Sequence, residues 1–288
     1  MLAGSLSSLR LAAAPEQLTW GITAFPLLLL KKDQQPKSSL NFDPLEPIIQ
    51  GLPDYTHQLQ TMNISRALLE LKKRDDVCII GLQRSPERDQ LGYFTALYIS
   101  LPPQLVIRSS DAAGFSNPPE GVALGQLLQR TDLRGAVLAG RYYGADLTPV
   151  IQSAVAQGRL QSIQTSGSGS NVLDMLRHGR IDYTLEYAEA IQLIQTIPEM
   201  HPIIQTLTLL PLKETTAPIV SGIYCSRTDK GKALIRKIDQ IASEPQVREH
   251  YRAASQALTP AAARQHYSDW FDAFYNRREP GAFTNLDD

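Results

Sequence analysis

Apolar and polar positions in this chain fall into short blocks whose period alternates between that of a strand and that of a helix. Leu18–Ile22 is an apolar run of strand length, and Pro26 punctuates the segment after it. Leu45–Gly51 predicts a short helix and His57–Met62 a strand. Ile64–Lys73 has the helical period, with Leu68, Leu69 and Leu71 as core candidates. Val77–Ile80 is wholly apolar and predicts a buried strand that breaks at Gly81. Ser85 then takes the N-cap place of a helix, Pro86 its first position, and Glu87 and Arg88 its first turn. The order β-α-β-α-β is that of a parallel sheet with crossover helices.

A long extended run from Tyr98 to Arg108, interrupted by Pro102-Pro103, suits a strand that leaves this first unit. Beyond it the pattern restarts. Val122–Leu128 predicts a helix, Ala136–Gly140 a strand, Leu147–Gln157 a helix and Leu160–Gln164 a strand. The Gly/Ser-rich 166–171 reads as a loop, with Asn171 capping a helix over Val172–His178 that Gly179 closes. Ile181–Tyr187 predicts a strand, Ala188–Ile197 a helix and Ile203–Leu210 a strand.

Composition narrows the class. A chain of 288 residues holds two modest domains or one large one, and 43% hydrophobic with 20% charged residues is ordinary for a globular protein. A net charge of −1 gives no basic face for nucleic acid. No apolar run reaches the roughly 20 residues of a spanning helix; the longest, around Phe25–Leu30, ends at Lys31-Lys32. The first 15 residues are rich in Leu, Ala and Ser and end in small residues before Pro15, as the back half of a secretory signal does. The two cysteines, Cys78 and Cys225, have no metal-ligand spacing, and the five histidines are scattered. No metal or cofactor is expected, and there is neither a P-loop nor a nucleophile elbow.

One place carries candidate chemistry. A strand ending in glycine and running into a helix N-terminus offers unpaired N–H groups to an anion, and Arg88 adds a planar fork suited to a carboxylate. The bland alternative is a surface turn with a solvated arginine.

Residues 76–98, DVCIIGLQRSPERDQLGYFTALY, resemble the D-x-I-x-x-x-x-x-x-T-x-x-R-x-x-x-x-x-F-S-x-P-Y stretch of family 3 extracellular solute-binding proteins, which include the lysine/arginine/ornithine and glutamine receptors. Ser85 replaces the threonine, and FTALY stands for FS-x-PY. Residues 133–147, LRGAVLAGRYYGADL, are similar to the family's L-x-G-K-x-V-G-V-x-x-G-S. GRIDYTLEY, 179–187, is similar to G-R-x-D-A-x-x-x-D. The run after Val220 and the aromatic region Tyr267–Tyr275 resemble the returning strand, helix and C-terminal helices of the family.

The resemblance implies the type II periplasmic-binding fold: an α/β protein of two lobes joined by two hinge strands. Lobe 1 would comprise 16–104 and 214–288, and lobe 2 would comprise 105–213. It implies a periplasmic, monomeric receptor that serves an ABC permease or a membrane-bound sensor, with no catalytic step. Arg88, Gly81 and Gln83 fall on the positions that hold a ligand carboxylate, and Asn63 on the position of a stacking aromatic; Asn63 equally suits the cap of the following helix. Lobe 2 would present Tyr142, Tyr143, Gly144 and Tyr187, with a hinge-packing role as the alternative for the two tyrosines of the loop. Asp182 is expected to be structural. The resemblance also implies that the returning strand lies beside Val77–Leu82, so that Cys78 and Cys225 could form a disulfide or remain buried thiols.

The departures point to the ligand. The acid that pairs with an α-ammonium in amino-acid receptors is Tyr187 here, and Glu186 falls on the opposite strand face by alternation. The first loop, GITAFP, lacks an acid as well. A cationic group without a carboxylate partner is costly to bury, so a carboxylate without an α-ammonium is the expected ligand. The alternatives are a sensor or interaction module on the same fold, or a dehydratase-like enzyme using Glu186.

Overall fold

The computed structural model describes residues 15–23, 44–115, 119–164, 170–195, 201–215 and 217–287. The signal-like start, the loop with Pro26 and most of the Gly/Ser-rich loop lie outside these residues. Ten strands form two five-stranded sheets. The first sheet contains β1 (Glu16–Thr23), β2 (Tyr55–Met62), β3 (Val77–Gln83), β4 (Gly92–Ser100) and β10 (Ile219–Ser226), in the order β2-β1-β3-β10-β4. The second contains β5 (Pro103–Arg108), β6 (Gly135–Leu138), β7 (Leu160–Ile163), β8 (Tyr183–Tyr187) and β9 (Leu207–Leu210), in the order β7-β6-β8-β5-β9. Each sheet belongs to one lobe, and the chain crosses from the first to the second and back.

The apolar blocks explain the layers. β1 and β3 lie inside the first sheet, so the continuous runs 18–22 and 77–80 are buried on both faces. The helices α1 (Glu46–Gln50), α2 (Ile64–Lys73) and α3 (Pro86–Asp89) punctuate this half. In α2, Leu71 turns into the core and Leu69 is exposed, because the helical period gives only one of the two the inward face. Lobe 2 carries α4 (Leu124–Leu127), α5 (Leu147–Ala156), α6 (Ser170–Arg177), α7 (Ala188–Gln195) and α8 (His201–Ile204). Asn171 lies inside α6 rather than capping it. Residues 203–204, expected in a strand, belong to α8, and β9 begins only at Leu207.

The first crossing falls at Leu101-Pro102, so the boundary expected at 104/105 lies within β5. Prolines have no N–H to extend the ladder, and β4 stops before them. The returning β10 inserts between β3 and β4, antiparallel to both. It places Cys225 directly opposite Cys78, Cα to Cα 4.0 Å, and the two form a disulfide. After β10 come α9 (Asp229–Ser243), α10 (Pro245–Leu258), α11 (Ala261–His266) and α12 (Ser268–Asn276). The tail beyond α12 closes the free edge of β4: Phe283 accepts from Ala96 N–H, and Asn285 bonds Phe94 and Gly92. Behind this edge, Asp239 holds Arg278 (2.8 Å) and Thr95, all fully or almost fully buried.

Candidate functional site

The candidate site lies where the carboxyl ends of β3, β6 and β8 face the other lobe. β3 does not stop at Gly81. Its ladder to β10 pairs Ile80 with Ile223 and Leu82 with Gly222, leaving Gly81 as a bulge residue at φ +84°. A Cβ there would meet nothing closer than Thr23 Oγ1 at 3.4 Å, so it is the positive φ rather than space that calls for glycine. The bulge turns Gln83 and Arg84 towards α3.

The helix after it is a single turn, and its Arg88 and Asp89 N–H groups are already engaged. Ser85 Oγ accepts from Arg88 N–H, Ser85 O from Asp89 N–H, and Ser85 N–H donates to the Tyr224 hydroxyl. The expected anion site at a helix N-terminus is therefore spent on local structure, and the capacity to hold an anion rests on the Arg88 side chain. That side chain is buried, 4% exposed. Its Nη1 donates to the Gln83 carbonyl at 2.7 Å and approaches Gln83 Oε1 at 3.5 Å. Its Nη2 reaches across to lobe 2 and donates to the Gly140 carbonyl at 3.2 Å. The guanidinium also lies over the Tyr142 ring, 5.8 Å from its centre. Among the described residues no carboxylate comes within ion-pairing distance of it. Burial lowers its pKa, and nearby tyrosine oxygens act against that.

Lobe 2 supplies the other wall from the loop after β6 and the end of β8. Gly140 packs over the start of α2, near Ile64 and Ser65, and Gly144 (φ +91°) sits against Ile219 at the start of β10. The two lobes are thus in contact on both sides of the Tyr142 loop. Tyr187 donates its hydroxyl to the Tyr142 carbonyl at 2.6 Å and fixes that loop. Tyr143 and Tyr187 are each 1% exposed and their rings lie parallel, with centroids 6.4 Å apart. Tyr143 belongs to the core of the second sheet, and burial raises both phenol pKa values.

Asn63 caps α2: its Oδ1 accepts from Arg66 N–H at 2.8 Å. Asp182, expected to be structural, accepts from Arg134 and Arg108, which join β5, β6 and β8. Burial acts to raise its pKa, but these bonds prevail and lower it to about 2.

Two residues of this region carry no role that the sequence alone reveals. Arg141, between Gly140 and Tyr142, forms a buried two-point ion pair with Glu186, Nη1 to Oε2 at 2.7 Å and Nη2 to Oε1. Its guanidinium also lies over the Tyr187 ring at 4.9 Å. Strand alternation puts Glu186 on the face away from Tyr187, yet both meet Arg141. The β6 ladder to β8 ends at Thr184, so the last residues of β8 are free of it, and Glu186 folds forward to accept from Tyr187 N–H. The one legible signal is that β6 and β8 are parallel neighbours, which brings residues just past their ends together.

The second is Glu189, in the first turn of α7. Its Oε1 accepts from Leu101 N–H at the crossing between lobes, while Oε2 is buried with no hydrogen-bond partner among the described residues. Burial raises its pKa to about 7.

This architecture is the type II periplasmic-binding fold, two α/β lobes with a discontinuous first lobe. No family model matches the sequence, and no curated protein does. Solved structures match it in fold at low identity, including amino-acid-binding proteins of ABC transporters. An ancestral arginine-binding protein bound to arginine has 15% identity and a TM-score of 0.62, over 90% of this chain and 100% of that one. An amino acid ABC transporter substrate-binding protein from Streptococcus pneumoniae bound to L-arginine has 13% identity and a TM-score of 0.60, over 84% and 93%. A histidine kinase sensor domain similar to periplasmic binding proteins has 15% identity and a TM-score of 0.61, over 84% and 95%. No described helix is long and apolar enough to cross a membrane.

Proposed function

We propose that the protein is a periplasmic solute-binding protein that holds a small carboxylate between its lobes and delivers it to an ABC permease or a membrane-bound sensor. The observation that carries this is Arg88. Its guanidinium, buried among carbonyls and tyrosine rings, has no counter-charge among the described residues, and burying a charge without one is costly. An anionic ligand that enters between Arg88 and the Tyr142 loop supplies it in the bidentate form a guanidinium favours. Because Arg88 bonds one lobe and touches the other, such a ligand favours the closed arrangement through contacts it makes only there. Gln83 and the Gly81 bulge shape the lobe 1 wall, and Tyr142 and Tyr187 the lobe 2 wall. The disulfide supports an oxidising, extracytoplasmic compartment.

No catalytic step is proposed. Glu186, the candidate acid, is engaged by Arg141. The test is a melting-shift screen that pairs carboxylates with their amino-acid counterparts, such as glutarate with glutamate and 3-phenylpropionate with phenylalanine. The carboxylates are expected to raise the melting temperature more than their counterparts. Micromolar binding of the amino acids alone would refute the reading.

A further inference from the structure

The loop that touches Arg88 contains a second guanidinium in surroundings that would suit a bound cation. Glu186 presents both carboxylate oxygens to Arg141, the Tyr187 ring lies 4.9 Å from the Arg141 guanidinium carbon, and the Tyr143 ring lies 5.9 Å from it. A carboxylate flanked by aromatic faces is what recognises an organic cation. Both partners are buried, Arg141 at 6% and Glu186 at 7% exposure, and they sit at the facing strand ends beside the interlobe contact at Gly140. We infer that Glu186, Tyr187 and Tyr143 form a cation subsite of the cleft that the protein fills with its own Arg141.

This deepens the solute-binding reading and rests on it for its meaning. Arg88 and Arg141 bring two guanidinium groups to this part of the cleft, and Arg141 holds both oxygens of Glu186. A ligand ammonium or guanidinium arriving here meets an acid that Arg141 already engages at both oxygens. The class that fits is a small organic anion with no cationic group. Arg141 is thus a specificity-determining residue: it excludes the cationic end of an amino acid by occupying that end's place.

Removing Arg141 should empty the subsite and leave Glu186 buried without its cation, which a small soluble cation can correct. The experiment measures thermal melting of full-length Arg141→Ala with methylguanidinium chloride as the probe and sodium chloride as the control. Arg141→Ala should melt several degrees below wild type and recover part of that loss with methylguanidinium. Wild type and the double variant Arg141→Ala/Glu186→Gln should not respond. An equal response in all three proteins, or none in Arg141→Ala, overturns the inference. If Arg141→Ala does not fold, Glu186→Gln decides. It keeps the shape of the pair and leaves Arg141 without its anion, so sodium acetate should raise its melting point more than that of wild type; equal shifts overturn the inference. These readouts need no natural ligand. A screen in which wild type ignores carboxylates would sink the ligand reading and leave the subsite standing.

Discussion

Arg88 of one lobe donates a hydrogen bond to the Gly140 carbonyl of the other, 3.2 Å away, and no carboxylate among the described residues comes within ion-pairing distance of it. This bond joins the two lobes beside the Tyr142 ring. It makes Arg88 a group whose loss should affect folding and binding in opposite directions.

Replacing Arg88 with Met removes the uncompensated charge and keeps most of the volume. The ligand-free variant should melt no lower than wild type, since buried charges traded for apolar volume are often neutral or stabilising. Affinity for a carboxylate should fall by about 2–5 kcal/mol, the cost of truncating one partner of a buried charge pair. Arg88→Lys should also bind weakly, because a point charge does not reproduce the fork. Calorimetric titration and melting of both variants check this. A variant that binds normally would remove Arg88 from the site.

Glu189 predicts a pH dependence. Burial raises its folded-state pKa to about 7, above the usual carboxylate value. The folded protein therefore holds this proton more tightly than the unfolded chain, and stability falls as pH rises from about 4.5 through 7. Asp182 acts below that window, where its lowered pKa makes acid destabilising. Glu189→Gln keeps an acceptor for Leu101 N–H and cannot ionise. Its melting temperature should change less than that of wild type between pH 5 and 8, by a few degrees. Parallel curves would show that Glu189 is not the group responsible.

The disulfide closes a loop of sequence separation 147 between two core strands. In the chain-entropy model such a closure contributes about 4–5 kcal/mol. Unreduced, denatured protein should show no titratable thiol. Cys78→Ala/Cys225→Ala should lose stability on that scale in denaturant titrations. A loss below about 1 kcal/mol would mean that the unfolded chain is already compact around this pair.

Arg278 supports a fourth test. It pairs with buried Asp239 and ties the tail to β4 through the Ala96 carbonyl. Arg278→Ala leaves Asp239 without its cation and should cost about 3–5 kcal/mol. Removing residues 277–288 additionally bares the edge of β4 and should give aggregation visible by light scattering. A monodisperse, fully stable deletion variant would contradict this role for the tail.

Sequence and fold agree where a periodic block coincides with a buried element. β1, α2, β3, α5 and β8 are such cases, and the Ser85-Pro86 start of α3 is legible from capping chemistry alone. They part where tertiary contacts decide. α10 and α11 lie in a polar stretch without a motif, and the tail is held by isolated residues, Arg278 and Asn285, that no local rule singles out. The site divides in the same way. Arg88, Gln83, Tyr142 and Tyr187 lie close together, whereas Asn63 is occupied as a cap and Tyr143 as core. Arg141 and Glu189 are invisible in the sequence because their meaning comes from partners 45 and 88 positions away.

The bridge between β3 and β10 also determines how tension would pass through the molecule. A pull applied between β1 and the C-terminal tail runs along the chain to Cys78, passes through the sulfurs to Cys225, and continues from there. Everything between the two cysteines, including the whole second sheet, lies off that route as a slack branch. A stretching experiment should therefore extend the oxidised protein without unravelling lobe 2, and only a reductant would bring those strands under load.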